Sequence, residues 1–356
     1  MNKKIFYILF ALLFFSCQSL GLNKNNPKVW NKGAMVSAAN PYAVKAAISI
    51  LEKGGSATDA AIAAHLVLGL VEPQSSGLGG GGFILNYDFK TNNLTFIDGR
   101  ETAPASAKID MFMKDDGNVM SFMEAVSSGK AVGTPGIVAL YETAHKAYGL
   151  LPWPMLFEDA INLSKNGFIV SPRLANYVEL AKKRGRLSKN PLTKKYFYPN
   201  GVKIKSGDLL KNPEYANTLK AIAKEGAIAF YNSNIAKEIV SAVNADPHPG
   251  EMTLVDLKNY NAVLRPVICG PFRNMKICTT SPPSSGGAQI MIAGLYDQLI
   301  NNESNESEKI SAFVDAQRLA YADRDHFFGD PDEVNIPLEA LLDPKYIRDR
   351  AKQRFL

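Results

Sequence analysis

Gly77-Leu78-Gly79-Gly80-Gly81-Gly82-Phe83-Ile84-Leu85-Asn86-Tyr87 is the stretch from which the fold can be argued. Letter by letter it satisfies G-x-G-x-x-G, the loop that cradles a dinucleotide pyrophosphate. That chemistry needs a strand before the loop and a helix after it, because the helix N-terminus supplies the N–H groups that hold the phosphates. Here the order is reversed. An alanine-rich helix is expected over 60–70, with Thr58 or Asp59 as its cap and Pro73 past its end, while Phe83 to Tyr87 follows the loop as a strand. A nucleotide site is therefore set aside. Four consecutive glycines instead indicate backbone that needs unusual dihedrals or the close approach of another segment or ligand.

Downstream of the loop, Lys90-Thr91-Asn92-Asn93 has turn composition and Leu94 to Ile97 forms a second strand, so a hairpin carries Asp98-Gly99-Arg100-Glu101 to its far end. A charged cluster at a strand end is well placed for binding. Upstream, 41–52 has helical spacing and stops at Gly54-Gly55, and 33–39 is expected as a short apolar strand. From Phe122 to Ile169 the period is helical, broken at Gly133-Thr134-Pro135-Gly136 and Leu151-Pro152-Trp153-Pro154. Further helices are expected over 172–183, 214–225 and 234–244. Strands return around Cys269 and Cys278, joined by a turn within Gly270 to Asn274. Ser281-Pro282-Pro283-Ser284-Ser285-Gly286-Gly287 then opens a helix through Ile300, and a last clear helix covers 310–323. Strands and helices intermixed in this way predict a layered α/β body.

The chain has 356 residues, 46% hydrophobic and 21% charged, which is enough apolar material for a sizeable core. Its first residues differ in kind. Lys3 and Lys4 precede an apolar run from Ile5 to Phe15, followed by Ser16 and Cys17, the pattern of a secretion signal. The run is too short for the roughly 20 residues that span a bilayer as a helix. Leu13-Phe14-Phe15-Ser16-Cys17 also has the form of a lipoprotein cleavage box, with residues 1–17 as the signal, Cys17 as the lipid-bearing residue and 18–32 as a polar spacer. That reading is preferred to ordinary signal-peptidase cleavage because a cysteine stands at the end of the apolar run. The protein is accordingly expected to be exported to the periplasm and lipid-anchored.

Cys269 and Cys278 remain. They could pair in an oxidising compartment. Two small buried hydrophobes on neighbouring strands is the preferred reading, and pairing is left open. No zinc site is expected, since the four histidines do not lie near these cysteines at ligand spacing. The net charge is a mild +6. The basic run from Lys182 to Lys195, next to Tyr196, Phe197 and Tyr198, has the composition of a nucleic-acid patch, but an exported protein meets no such partner and a solvated helix face is preferred. The sequons at Asn302 and Asn305 indicate an exposed polar loop. Ser285 lacks the G-x-S-x-G setting of a nucleophile and is assigned as a helix cap, and Asp323, Asp325 and His326 are assigned to capping or salt-bridging. From residue types alone no reaction can be named.

Five segments together carry a resemblance: Gly77 to Phe83, Asp98-Gly99-Arg100-Glu101-Thr102-Ala103-Pro104, Gly133-Thr134-Pro135-Gly136, Pro282 to Gly287, and Arg318-Leu319-Ala320-Tyr321-Ala322-Asp323-Arg324 with Gly329-Asp330-Pro331. In this order the sequence resembles the large-subunit portion of the gamma-glutamyltranspeptidase family over nearly all of 33–356. The resemblance implies an N-terminal-nucleophile hydrolase fold, an α/β four-layer αββα sandwich of which this chain holds the large-subunit part and is incomplete at its C-terminus. It implies that a precursor cuts itself and that a threonine exposed at the start of the small subunit attacks the gamma-glutamyl amide of glutathione or a related compound. The threonine's own amine serves as base, so no histidine is needed. Water, an amino acid or a peptide then takes the glutamyl group. The family arginine that binds the substrate α-carboxylate falls on Arg100, and no cofactor or metal is implied.

The nucleophile and oxyanion donors are expected beyond Leu356, on a small subunit, so this chain holds no catalytic residue and activity of the chain alone is not expected. Two other readings stand beside the leading one. One is a cephalosporin or glutaryl acylase of the same superfamily, against which Arg100 argues for an amino-acid-like substrate. The other is a non-catalytic exported lipoprotein that kept the scaffold.

Overall fold

The computed structural model describes residues 33–183, 187, 190–245 and 248–353. The signal at 1–17 with Cys17, the spacer at 18–32, residues 184–186 of the basic run and Leu356 lie outside them. The first helix, α1 (Pro41–Glu52), starts where Asn40 accepts the Tyr42 N–H on its side-chain oxygen and Pro41 contributes a preset φ. The second, α2 (Ala57–Val71), is longer than expected and its cap is Ser56, correcting the assignment to Thr58 or Asp59. Ser56 stands three residues before Asp59, so hydroxyl and carboxylate each take the other's backbone N–H, at 3.0 and 2.9 Å. Thr58 and Asp59 lie inside the helix and are buried. Ala60, Ala63 and Ala64 on α2 meet Ala43, Ala46 and Ala47 on α1, small side chains that let the two backbones approach closely.

The loop after α2 leads into β1 (Gly82–Asp88), which pairs antiparallel with β2 (Asn93–Gly99) from Gly82↔Gly99 to Asp88↔Asn93. Asn92 takes the left-handed turn position, with φ 53°. Helix then strand, not strand then helix, flanks the glycine loop, as the sequence predicts. Among the described residues, 33–39 form no strand and Met35 is 89% exposed. An apolar run becomes a strand only beside a hydrogen-bonding neighbour, and no described strand runs alongside it.

The helical region from Phe122 breaks at the two expected places. Between them lies α3 (Ile137–Tyr148), which begins directly after Gly136. Pro172–Lys183 is helical with the predicted bounds, and Pro213–Glu225 and Asn234–Val243 are within a residue of theirs. Two short strands, β3 (Phe168–Ile169) and β4 (Leu209–Leu210), pair with each other. Next, β5 (Val263–Arg265) adds to the free edge of β2, giving the order β1-β2-β5 with β2 central. A hairpin follows, β6 (Val267–Phe272) and β7 (Met275–Thr280). Its register sets Cys269 opposite Cys278, and the two form a disulfide, which overturns the preferred reading of unpaired thiols. Register is a property of the folded hairpin, and spacing alone did not reveal that these two side chains share one face.

Four helices follow among the described residues: α4 (Gly286–Leu299), α5 (Glu306–Phe327), the one-turn helix Leu338–Leu342 and α6 (Pro344–Ala351). The main core gathers Ile50, Leu66, Leu70, Ile97, Leu140 and Phe157 under the three-stranded sheet. A smaller one joins Met291 and Leu295 of α4, Leu319 of α5 and Ile347 of α6. Each such side chain contributes about 1.5–3 kcal/mol on burial. No helix among the described residues is long and apolar enough to cross a membrane.

Candidate functional site

Central strand β2 ends at Gly99 and delivers Arg100 to the surface. Asp98, 5% exposed, accepts the Arg100 N–H on Oδ1 at 2.9 Å and the Arg265 Nε–H on Oδ2 at 2.6 Å. On the other side, the Tyr260 hydroxyl donates to the Arg100 carbonyl at 2.6 Å. Burial, with the Asp98 and Glu101 charges adding to it, pushes the Tyr260 phenol well above its ordinary value, so it stays a donor at physiological pH. The Arg100 backbone is thus gripped at both ends. Its side chain is exposed, and its guanidinium forms no hydrogen bond or ion pair among the described residues.

Two glycine segments close around this strand end. The Gly80 carbonyl accepts the N–H groups of Gly136 at 2.9 Å and Ile137 at 3.0 Å, satisfying donors at the start of α3. Thr102 and Thr134 pair as an isolated bridge. A methyl at Gly81 would lie 2.6 Å from the Gly99 carbonyl oxygen and 2.7 Å from the Glu101 nitrogen, and one at Gly136 would strike the Tyr260 hydroxyl. The close approach anticipated for the glycine loop is therefore to other backbone of the chain.

The Pro282 to Gly287 stretch lies on the far side of Arg265. Both terminal nitrogens of that guanidinium donate to Asp332, at 2.9 and 2.6 Å, while Nε holds Asp98. These contacts raise the Arg265 pKa and lower that of the Asp332 carboxyl. An open cavity of about 550 Å3 is bordered by Arg265, Ser281, Pro282, Asp332, Asn335 and Ile336. Ser281 is buried and its hydroxyl has no partner among the described residues. Ser285 does occupy the N-cap position of α4, but its hydroxyl accepts from Arg324 Nε at 3.1 Å and makes no capping bond. Asp323 has the expected structural role, ion-paired to Arg350 of α6 at 2.9 Å, and Asp325 pairs with Arg324 at 3.1 Å.

A family profile of gamma-glutamyltranspeptidases matches residues 43–354. The chain belongs to the gamma-glutamyltranspeptidase family. It is 38% identical over 322 residues to a glutathione hydrolase proenzyme of Bacillus subtilis (strain 168), covering 90% of this chain and 54% of that protein. The chain thus spans about half the length of the curated relatives it matches. Among solved structures it resembles Helicobacter pylori gamma-glutamyltranspeptidase, with TM-score 0.83, 32% identity and coverage of 90% of this chain and 91% of that one. It also resembles cephalosporin acylase from Bacillus halodurans, with TM-score 0.76, 25% identity and coverage of 91% and 62%. The fold is of the N-terminal-nucleophile hydrolase type, and the chain corresponds to the large-subunit part of the gamma-glutamyltranspeptidase family.

Of the family's segments, the structure brings Gly77–Phe83, Asp98–Pro104 and Gly133–Gly136 together around Arg100, and sets Pro282–Gly287 beside the loop after Gly329-Asp330-Pro331. Arg265 joins the two groups and went unread in the sequence, as did Tyr260. Neither stands in a motif. Asp332 directly follows Asp330-Pro331 and was the one partner with a local signal.

A further cluster missed by the sequence reading stands behind the glycine loop of this family member. His65 on α2 joins Ser76, just before Gly77, through Nε2 at 2.9 Å, and the Tyr141 hydroxyl of α3 through Nδ1. Burial holds the His65 imidazole below its ordinary value of 6.5. The unfolded chain therefore takes up this proton at a higher pH than the folded one. The His65 contribution is intact above about pH 6.5 and is lost as pH falls through the lower folded-state value. In urea titrations His65→Gln is expected to flatten the decline in stability between pH 7 and 5 relative to the unsubstituted chain. Parallel profiles would refute the assignment.

Proposed function

We propose that the chain is the large-subunit part of a gamma-glutamyltransferase or glutathione hydrolase, which cleaves the gamma-glutamyl amide of glutathione or a related compound. The glutamyl group passes to water, an amino acid or a peptide. The observation that carries this reading is Arg100: a guanidinium free of partners among the described residues, on backbone held from both sides by Asp98 and Tyr260. A planar guanidinium grips a carboxylate through two parallel hydrogen bonds, and a fixed backbone lowers the ordering cost of doing so. Arg100 is assigned the substrate α-carboxylate. This favours an amino-acid-like substrate over the acylase reading. The threonine nucleophile and the oxyanion donors are assigned to a small subunit beyond Leu356 or on a separate chain. Export follows from the 1–17 signal, with Cys17 as the lipid attachment point to the bacterial membrane.

Release of the aniline from a gamma-glutamyl anilide, measured for this chain alone and co-expressed with a nucleophile-bearing segment, tests the proposal. Release is expected only with that segment. Silence in both samples would shift the reading to a non-catalytic binding lipoprotein.

A further inference from the structure

We propose that Arg265 is the positioning residue that aims Arg100 at the substrate carboxylate, an inference that rests on the assignment of Arg100 made above. Arg265 ends β5, opposite Phe96, and its side chain is 13% exposed. All three of its guanidinium nitrogens are used: Nε on Asp98, and the two terminal nitrogens on Asp332. It is the countercharge for a carboxylate that is itself buried. Take Arg265 away and Asp98 has no other cation partner among the described residues; the buried carboxylate, left uncompensated, must then rotate toward water. That rotation releases the Arg100 N–H, since that N–H is held by the other oxygen of the same group.

The consequence for Arg100 follows from how it is held. Its side chain has no partner among the described residues to orient it, so the direction of the guanidinium is inherited from the backbone alone. Two groups set that backbone, the Asp98 carboxylate on the nitrogen and the Tyr260 hydroxyl on the carbonyl. One short segment, from Tyr260 to Arg265, supplies the hydroxyl directly and fixes the carboxylate. A small tilt of the Arg100 peptide becomes a displacement of ångströms at the end of a long side chain, enough to lose a bidentate contact that depends on alignment. Asp332 extends the linkage to the wall of the 550 Å3 cavity.

A merely structural ion pair would leave substrate discrimination untouched, and this separates the two roles. Two probes are used, L-γ-glutamyl anilide and 4-aminobutanoyl anilide, which keeps the amine and lacks the α-carboxylate. Their dissociation constants are measured by calorimetry for the chain co-expressed with a nucleophile-bearing part whose threonine is replaced by alanine, so that neither probe is cleaved. The unsubstituted protein is expected to prefer the γ-glutamyl probe by about 10- to 100-fold. Arg265→Gln should weaken that probe roughly tenfold and leave the other unchanged, Arg265→Lys should recover part of the loss, and Arg265→Gln added to Arg100→Met should change nothing further. Equal weakening of both probes, or an unchanged preference, would overturn the role of Arg265. Preference surviving in Arg100→Met alone would overturn the Arg100 assignment instead, and the inference with it, as would the absence of binding by the unsubstituted protein. Should Arg265→Gln fail to fold, Asp332→Asn breaks only the exposed half of the linkage and is expected to lower the preference by a smaller factor.

Discussion

Asp59→Ala is expected to lower the unfolding free energy by about 3–5 kcal/mol, the largest effect of any single substitution considered. Asp59 is fully buried on α2. Its Oδ2 accepts three backbone N–H groups, from Ser56 at 2.9 Å, Leu150 at 2.8 Å and Leu151 at 3.1 Å. Its Oδ1 lies 3.8 Å from His145 Nε2. One carboxylate thus caps its own helix and pins the loop that follows α3, which is how two helices far apart in the chain are held in register. Alanine strands these donors, and a buried N–H without a partner costs about 1–3 kcal/mol, less where water can reach it. Thermal unfolding should fall by roughly 10 °C. Asp59→Asn keeps an acceptor oxygen and should lose less. A decrease under about 1 kcal/mol for the alanine variant in urea titrations would show that the loop finds other partners.

Arg100→Met is expected to weaken γ-glutamyl binding by about one to two orders of magnitude, since a charged hydrogen-bonded contact contributes roughly 1.5–3 kcal/mol. Methionine keeps the length of the side chain and removes the charge and the fork. Arg100→Lys restores the charge as a point donor and should recover part of the affinity. Stability should change by less than about 0.5 kcal/mol in either variant, because the side chain is exposed and unpartnered among the described residues. Calorimetric titration with L-γ-glutamyl anilide, on the chain paired with a nucleophile-bearing part whose threonine is replaced by alanine, measures the effect. An unchanged dissociation constant would remove Arg100 from the site.

The sequence by itself determined the local elements whose causes lie within a few residues. Pro41–Glu52 starts at an asparagine cap followed by proline, and Pro172–Lys183 runs from proline to a basic last turn, so both bounds were legible. The order of helix, glycine loop and strand excluded a dinucleotide site, and the turn at Asn92 placed Arg100 at a strand end. Of the family segments, three are brought together around Arg100. Only the tertiary structure decided their connections. Arg265 stands 167 residues from the Asp98 it pairs with, and Tyr260 stands 160 residues from the Arg100 it holds. Nothing in the spacing of either announces a partner, because a side-chain contact depends on which strand edges meet. The same reason covers the disulfide, which needed the hairpin register. It covers residues 33–39 as well, where an apolar run lacks a neighbouring strand among the described residues. Periodicity is a property of one segment, while pairing is a property of two, and the site around Arg100 is made of pairings.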